Sequence, residues 1–236
     1  MFFQEINAAK VLLRNGCTEE GSQILKHVWE HAPVKSSTKM EAFAGLFEVY
    51  FKNSRREATL FLQRVLDGDE LADWVVSLEP WEKATLHEWM GQVSYVQSDK
   101  ETARQHLSLA AASGRDTSLV WFMLSNLALD EEDCELAARY IKRSLFVSSQ
   151  NNLNLLGDQE HALGQFLGEN LLNITLDLKI YMETLLRFAK IAHALPQLKT
   201  LKELVMDLIH AYPRSENLMK IRTLVEKKIV GHSVME

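Results

Sequence analysis

The chain has 236 residues, of which 47% are hydrophobic and 25% are charged, so it can bury a core and is long enough for one large domain or two small ones. Only 10 Gly and 4 Pro argue against an all-β fold, which needs many turn residues. The formal net charge of −6 disfavours tight binding to nucleic acid, because phosphate contacts require a field of Lys and Arg side chains.

Three features of the sequence predict a cytoplasmic chain without membrane insertion. Cys17 and Cys134 are far apart and form no CxxC motif, which is typical of a reducing compartment rather than of a disulfide scaffold. The N-terminal apolar run is interrupted by Glu5 and Lys10 and has no basic region before it, so we expect no signal peptide. The longest apolar candidate, residues 171–195, contains five charged residues, which a membrane span does not tolerate.

Two helix hairpins are predicted at the start of the chain. In the first, over residues 2–33, Gly16 marks the turn, and Thr18 followed by two glutamates predicts the start of the second helix. The second hairpin, over residues 37–66, has the polar turn KNSRRE between its helices. The segment DELADWVVSLEPW follows, and it either lengthens the second helix or forms an additional turn before Pro80.

Residues 84–147 contain two copies of one motif, 34 residues apart. At this offset large apolar residues align in two columns and small residues in three, and only Trp121 over His87 breaks the match. The aligned pairs are Leu124/Met90, Ser125/Gly91, Ala137/Ala103, Ile141/Leu107 and Ser144/Ala110. An acidic turn separates the halves of each copy, so each copy is predicted to be two helices that cross closely, at about 8–10 Å, where the small residues lie.

Both copies, LHEWMGQVSYVQSDKETARQHLSLAAASG and SLVWFMLSNLALDEEDCELAARYIKRSLF, resemble the tetratricopeptide repeat (TPR), whose pattern is W-x2-L-G-x2-Y, then A-x3-F, then P. The Tyr of that pattern is Ser94 in one copy and Ala128 in the other, and the closing Pro is absent from both. The resemblance implies an all-α fold, a right-handed α-solenoid of antiparallel helix hairpins with a concave inner face.

The C-terminal part is predicted to be less regular. The segment NNLNLLGDQEHALGQFLGEN fits no repeat and is interpreted as an irregular junction, followed by a further hairpin over residues 185–213 with Pro196 in its turn. A C-terminal helix from about Arg214 is expected to cap the stack. Its apolar stripe is Leu218, Ile221, Leu224, Val225 and Ile229. We thus expect four TPR-like hairpins in residues 1–150, and the junction, the further hairpin and the capping helix in residues 151–236, in one continuous structural unit.

No catalytic constellation is evident in the sequence. His27 and His31 stand four residues apart beside Glu30, but a zinc site needs a third and a fourth ligand, and no nearby motif supplies them. The glycines form no phosphate-binding loop, and no nucleophile motif is present. We therefore predict no catalytic residues, no metal site and no cofactor, and we expect that the protein is not an enzyme.

One helix face is a candidate binding surface. Trp89 lies two residues before Gly91, so it points away from the packing column of its own hairpin and onto the face that the TPR resemblance assigns to the concave groove. The candidate groove residues are Trp89, Gln92, Tyr95, Val96, Leu119, Phe122, Met123, Asn126 and Leu129. So apolar a face must be covered, either by the helix predicted within residues 171–195 or by a partner segment, which we favour. We expect Trp89, Phe122 and Met123 to anchor that partner.

These features predict a protein–protein interaction module, a chaperone or an adaptor, that holds an apolar peptide segment of another protein in its concave groove. The apolar inner face is similar to that of type III secretion chaperones, which hold hydrophobic segments of secreted proteins. Two alternatives stay open: an assembly subunit that forms a homo-oligomer through its apolar helix faces, and the sensor part of a regulatory protein. The expected partner is a protein and not nucleic acid.

Overall fold

The computed structural model describes residues 2–34, 36–67, 72–153, 178–211 and 213–233, and all regular structure in these ranges is α-helical. The described residues fall into two compact units, unit 1 up to Arg115 and unit 2 from Asp116 onwards. Unit 1 contains α1 (Phe2–Arg14), α2 (Thr18–His31), α3 (Ser37–Asn53), α4 (Arg55–Asp67), α5 (Ala72–Ser77), α6 (Pro80–Val96) and α7 (Lys100–Ala112). Unit 2 contains α8 (Ser118–Asp130), α9 (Cys134–Leu153), α10 (Leu178–Ile191), α11 (Leu195–Ala211) and α12 (Glu216–Ser233). The predicted all-α fold is confirmed.

The antiparallel hairpins predicted from the sequence are present in both units. In unit 1, α1 pairs with α2, α3 with α4 and α6 with α7, and in unit 2, α8 pairs with α9. Of the two alternatives for the segment before Pro80, the structure contains the additional element, the short helix α5. Trp74 of α5 is buried and lies edge-on to Trp29, with ring centroids 4.6 Å apart, so α5 completes the aromatic core of unit 1.

The 34-residue repeat is reproduced in the backbone of the turns that join α6 to α7 and α8 to α9. Ser98 and Glu132 both adopt the left-handed conformation, with φ of 65° and 60°. The next residues, Asp99 and Asp133, cap the following helices: their side chains accept hydrogen bonds from the backbone N–H three residues further on, at 3.2 and 2.9 Å. Each member of one turn is 34 residues from its counterpart, so the sequence repeat and the structural repeat coincide.

Small residues lie at the predicted helix crossings. A Cβ atom on Gly91 would lie 2.6 Å from Leu107 Cγ and 3.0 Å from Leu107 N, so only glycine fits where α6 meets α7 in this arrangement. The equivalent residue of α8 is Ser125, which is fully buried and donates its hydroxyl hydrogen bond to Phe122 O at 2.7 Å. Close approach therefore explains the small residue at this column of the repeat.

The one mismatched column of the repeat, Trp121 over His87, has the same structural role in both copies. His87 faces His106 across the α6/α7 hairpin, with ring centroids 5.1 Å apart, and Trp121 faces Tyr140 across the α8/α9 hairpin at 5.5 Å. His106 and Tyr140 are themselves 34 residues apart. Each hairpin thus places a pair of rings at this position, and only the ring type differs.

The C-terminal helices of unit 2 extend the pattern with differences of detail. Helix α10 begins at Leu178, and Pro196 lies in the first turn of α11, where its missing N–H leaves no helix hydrogen bond unmade. Helix α11 packs on α9 and α12, and α10 packs on α8 and α12. Helix α12 buries most of its predicted stripe, but Leu224, predicted on that stripe, is 41% exposed. Most of the predicted junction lies outside the described residues.

Candidate binding surfaces

Helix α8 is apolar on nearly all sides, and unit 2 buries it from several directions. Phe122 is 6% exposed and Met123 is fully buried. The other predicted groove residues on α8 are buried as well: Leu119, Asn126 and Leu129. Tyr181 of α10 packs edge-on against Phe122, with ring centroids 5.6 Å apart and an interplanar angle of 81°. Of the two coverings that the sequence left open for this face, the structure contains the chain's own helix.

Polar contacts hold α10 in place along its length. Near the start of α10, the Tyr181 hydroxyl forms a hydrogen bond with Ser144 Oγ at 2.6 Å, and both groups are buried. Two turns later, Arg187 donates to the Asp130 carboxylate and to the backbone oxygen of Asn126. A buried hydroxyl pair is costly to separate because each group would lose its partner away from water. Helix α10 is therefore part of the core of unit 2.

The predicted groove residues on α6 belong to unit 1. Trp89 is 2% exposed, and its ring stacks on that of Phe47 with centroids 5.0 Å apart and an interplanar angle of 10°. Tyr95 and Val96, towards the end of α6, are half-buried. The aromatic stack places Trp89 in the core cluster of unit 1, where it packs with residues of α3 and α5.

A buried polar network follows Trp89 on the same helix. Gln92 Nε2 donates to Glu88 Oε1 at 3.1 Å, and Arg115 Nε donates to Glu88 Oε2 at 2.5 Å. Gln92 and Glu88 are both buried, and Gln92 Oε1 has no hydrogen-bond partner in the described structure. Removing Arg115 would leave the Glu88 charge buried without compensation, so the pair fixes the conformation of this part of α6. Binding of a partner to the nine predicted groove residues stays a prediction.

The titratable groups with shifted pKa values in unit 1 lie at packing contacts. His87 Nδ1 and His106 Nδ1 are 2.9 Å apart, and burial, followed by the charge on His106, lowers the pKa of His87. Burial lowers the pKa of Lys39, whose Nζ donates to Trp29 O at 2.7 Å and lies 4.8 Å from the centroid of the same residue's ring. Within the described ranges, no three His, Cys, Asp or Glu side chains are grouped so as to hold a metal ion.

An apolar groove that the sequence analysis did not predict lies open to solvent between α10 and α12. Its volume is about 420 Å³, within the range of about 300–1,000 Å³ that is usual for ligand sites. Leu186 and Leu224 are 40% and 41% exposed in it. Its lining consists of Met182, Glu183 and Leu186 from α10, and of Asn217, Lys220, Ile221 and Leu224 from α12.

The sequence signal for this groove is a pair of apolar doublets. Neighbouring residues of an α-helix point about 100° apart, so two adjacent leucines cannot both point into one core. In the doublet on α10, Leu185 is fully buried and Leu186 lines the groove; on α12, Val225 is fully buried and Leu224 lines the groove. Each doublet therefore supplies one side chain to the core of unit 2 and one to the open surface.

The hairpins and their 34-residue turns define the class: the described chain is an all-α protein of TPR-like helix hairpins. None of its described helices is both long enough and apolar enough to cross a membrane. No family model matches the sequence, and no curated protein matches it significantly.

Solved structures that are similar to the chain are helical proteins of low sequence identity. A kinesin light chain protein with nearly identical TPR-like repeats, from Podospora anserina, has a TM-score of 0.48 at 9% identity, with 95% of this chain and 93% of that chain covered. PilF of Pseudomonas aeruginosa has a TM-score of 0.40 at 16% identity, with 94% and 96% covered. Acl4, an assembly chaperone of RpL4, has a TM-score of 0.38 at 11% identity, with 100% and 99% covered. At these values the likeness carries no argument about function, and the fold assignment rests on the hairpins themselves.

Proposed function

We propose that this chain is a protein-interaction module of the chaperone or adaptor type, which holds an apolar segment of a partner protein. The observation that carries the proposal is the open groove between α10 and α12, where apolar side chains are exposed on a frame of two packed helices. Contiguous exposed apolar surface of this kind marks interaction sites on folded proteins. Met182 in the lining adds a flexible side chain that adapts to the shape of a ligand.

The groove supports this function better than the predicted face of α8 because it requires no rearrangement. A partner on α8 would have to displace α10 and expose Tyr181, Leu185 and Phe188, which are all buried. Exposing a side chain of this kind costs roughly 1.5–3 kcal/mol, so the three together cost about 4–9 kcal/mol. That cost is comparable to the whole stability of a typical domain, about 5–15 kcal/mol. Side chains in the open groove contact a partner without this cost.

The nine predicted groove residues are a second candidate surface, and one observation favours it. The α8 face already receives a helix, since Tyr181 of α10 packs against Phe122. A partner helix with an aromatic residue at the matching position would make the same contact, with Trp89, Phe122 and Met123 as anchors. In this version of the proposal, α10 occupies the face until a partner replaces it.

Peptide binding by matched variants tests the proposal. Leu186→Gln combined with Leu224→Gln makes the groove polar, and the control pair Leu109→Gln with Val230→Gln alters two exposed apolar side chains outside its lining. The probe is an array of apolar peptides of varied sequence. We expect the wild-type chain and the control to bind the same peptides, and the groove variant to bind them at least about tenfold more weakly, with melting temperatures close to one another. Wild-type binding that the groove variant retains would contradict the assignment of the site.

Self-association is separated from partner binding by the same variants. Light scattering after size-exclusion chromatography should show the same mass for the wild-type chain and the groove variant. A wild-type dimer that the variant no longer forms would instead make a second copy of the chain the occupant of the groove. The expected lack of catalysis, of nucleic-acid binding and of a location outside the cytoplasm stays a prediction of the sequence.

A further inference from the structure

Lysines surround one end of the groove between α10 and α12. At the other end the charges of Glu183 and Lys220, which both line the groove, balance each other. Beyond the lining, Lys190 lies one turn further along α10 and Lys227 lies three residues further along α12, and both are exposed. The chain as a whole has a net charge of −6, so this basic end has the opposite sign to the chain.

The two helices of the groove run in the same direction. Lys228 of α12 donates to the backbone oxygens of Ala189 and Ala192 at the end of α10, at 2.5 and 3.4 Å. The later parts of both helices therefore lie side by side, which places Lys190 and Lys227 at the same end of the groove. The acidic residue next to Lys227, Glu226, pairs with side chains on the other side of α12 and α11, so it does not neutralise this end.

The shape of the groove fits a third helix. Two helices packed side by side leave a trough into which the apolar side of another helix can pack. The apolar residues of the lining follow helical spacing on both sides, Met182 and Leu186 on α10 and Ile221 and Leu224 on α12. A ligand helix with apolar residues at positions i, i+3 or i+4, and i+7 places its side chains against both rows.

We propose that the groove binds an amphipathic helix of a partner protein, and that acidic side chains beside its apolar stripe face Lys190 and Lys227. The inference rests on the proposed function and names the chemistry of its partner. Charge complementarity at the rim selects among apolar helices and speeds their association, while the apolar stripe supplies most of the affinity.

Two synthetic helical peptides with the same leucine stripe test the inference. One has Glu and the other has Lys beside the stripe at one end, and a third peptide repeats the Glu version with a central Pro that prevents a continuous helix. Fluorescence anisotropy gives their affinities for the wild-type chain at about 0.02 M and about 0.3 M salt. We expect the Glu peptide to bind about tenfold more tightly than the Lys peptide at low salt, a smaller ratio at high salt, and weak binding of the Pro peptide.

Charge-reversed variants locate the effect. Lys190→Glu with Lys227→Glu should reverse the preference between the peptides, whereas Arg56→Glu with Lys199→Glu, which changes the net charge equally at exposed positions elsewhere, should leave it in place. If neither helical peptide binds, the groove and the proposed function fail together. If both bind equally, or if the two double variants behave alike, the proposed function stands and the acidic flank is wrong. Equal binding of the Pro peptide would show that the ligand is not a helix.

Discussion

Replacing Gly91 with Ala tests whether α6 and α7 cross as closely as the structure shows. The added Cβ would lie 2.6 Å from Leu107 Cγ and 3.0 Å from Leu107 N. Leu107 is fully buried, and its backbone nitrogen can move only if α7 moves, so the strain cannot be relieved by one side-chain rotation. Overpacking of this kind costs about 1–3 kcal/mol, whereas the better helix propensity of Ala returns up to about 1 kcal/mol. We expect Gly91→Ala to lower the free energy of unfolding of unit 1 by about 1–2 kcal/mol.

Urea unfolding followed by tryptophan fluorescence measures this change in unit 1, because four of the five tryptophans lie there. Gly231→Ala is the matched control, since a Cβ on Gly231 of α12 would meet no atom within 4 Å. That variant should gain about 0.5 kcal/mol from helix propensity alone, seen in the unfolding of unit 2 by circular dichroism. In a double-mutant cycle, Leu107→Ala should relieve part of the effect of Gly91→Ala. Stabilisation by Gly91→Ala of the size seen at Gly231 would refute the close crossing.

Three further predictions concern the turns, the histidine pair and the face of α8. Glu132→Gly should raise the free energy of unfolding by about 0.5–1 kcal/mol, because Glu132 has a φ of 60°, whereas Glu131→Gly, at a φ of −95°, should lower it; urea unfolding of both variants gives the signs. The lowered pKa of His87 means that the folded chain favours the neutral imidazole. Its contribution to stability is therefore complete above the unfolded-state pKa of about 6.5 and is lost as the pH falls through the lower folded-state value. Urea unfolding between about pH 7.5 and about pH 5 should show a shallower pH dependence for His87→Gln than for the wild type, and equal slopes would contradict this. Phe122→Gln should cost about 3 kcal/mol of stability, because it removes a buried ring and buries an amide; an unchanged melting temperature with lost peptide binding would identify the α8 face as the binding site.

The hairpins could be predicted from the sequence because their determinants are local. Asp99 and Asp133 cap helices three residues away, and the left-handed turn residues precede them directly. Gly91 and Ser125 mark the crossings within single hairpins. Features of this kind depend on residues close in the chain, so a repeat of 34 residues carries them from one copy to the next.

The covering of α8 and the open groove depend on contacts between distant segments, which periodicity does not encode. Tyr181 and Phe122 are 59 residues apart in the chain, and no local pattern indicates that their rings meet. Leu224 fits the predicted stripe of α12 because it neighbours Val225, but helix geometry lets only one of the two point into the core. The doublets indicate that some apolar side chains must point elsewhere, and only the packing of α10 beside α12 shows where.

Methionine methyl NMR tests the binding surface most directly, because Met182 lines the groove between α10 and α12 and Met123 lies on the predicted face of α8. Both methyl groups are observed in one spectrum, and each is assigned by a Met→Leu variant. On addition of the amphipathic peptide with acidic flanks, we expect the Met182 signal to shift or broaden while the Met123 signal stays unchanged. A shift of Met123 without a shift of Met182 would contradict the groove and place the peptide on the face that α10 covers.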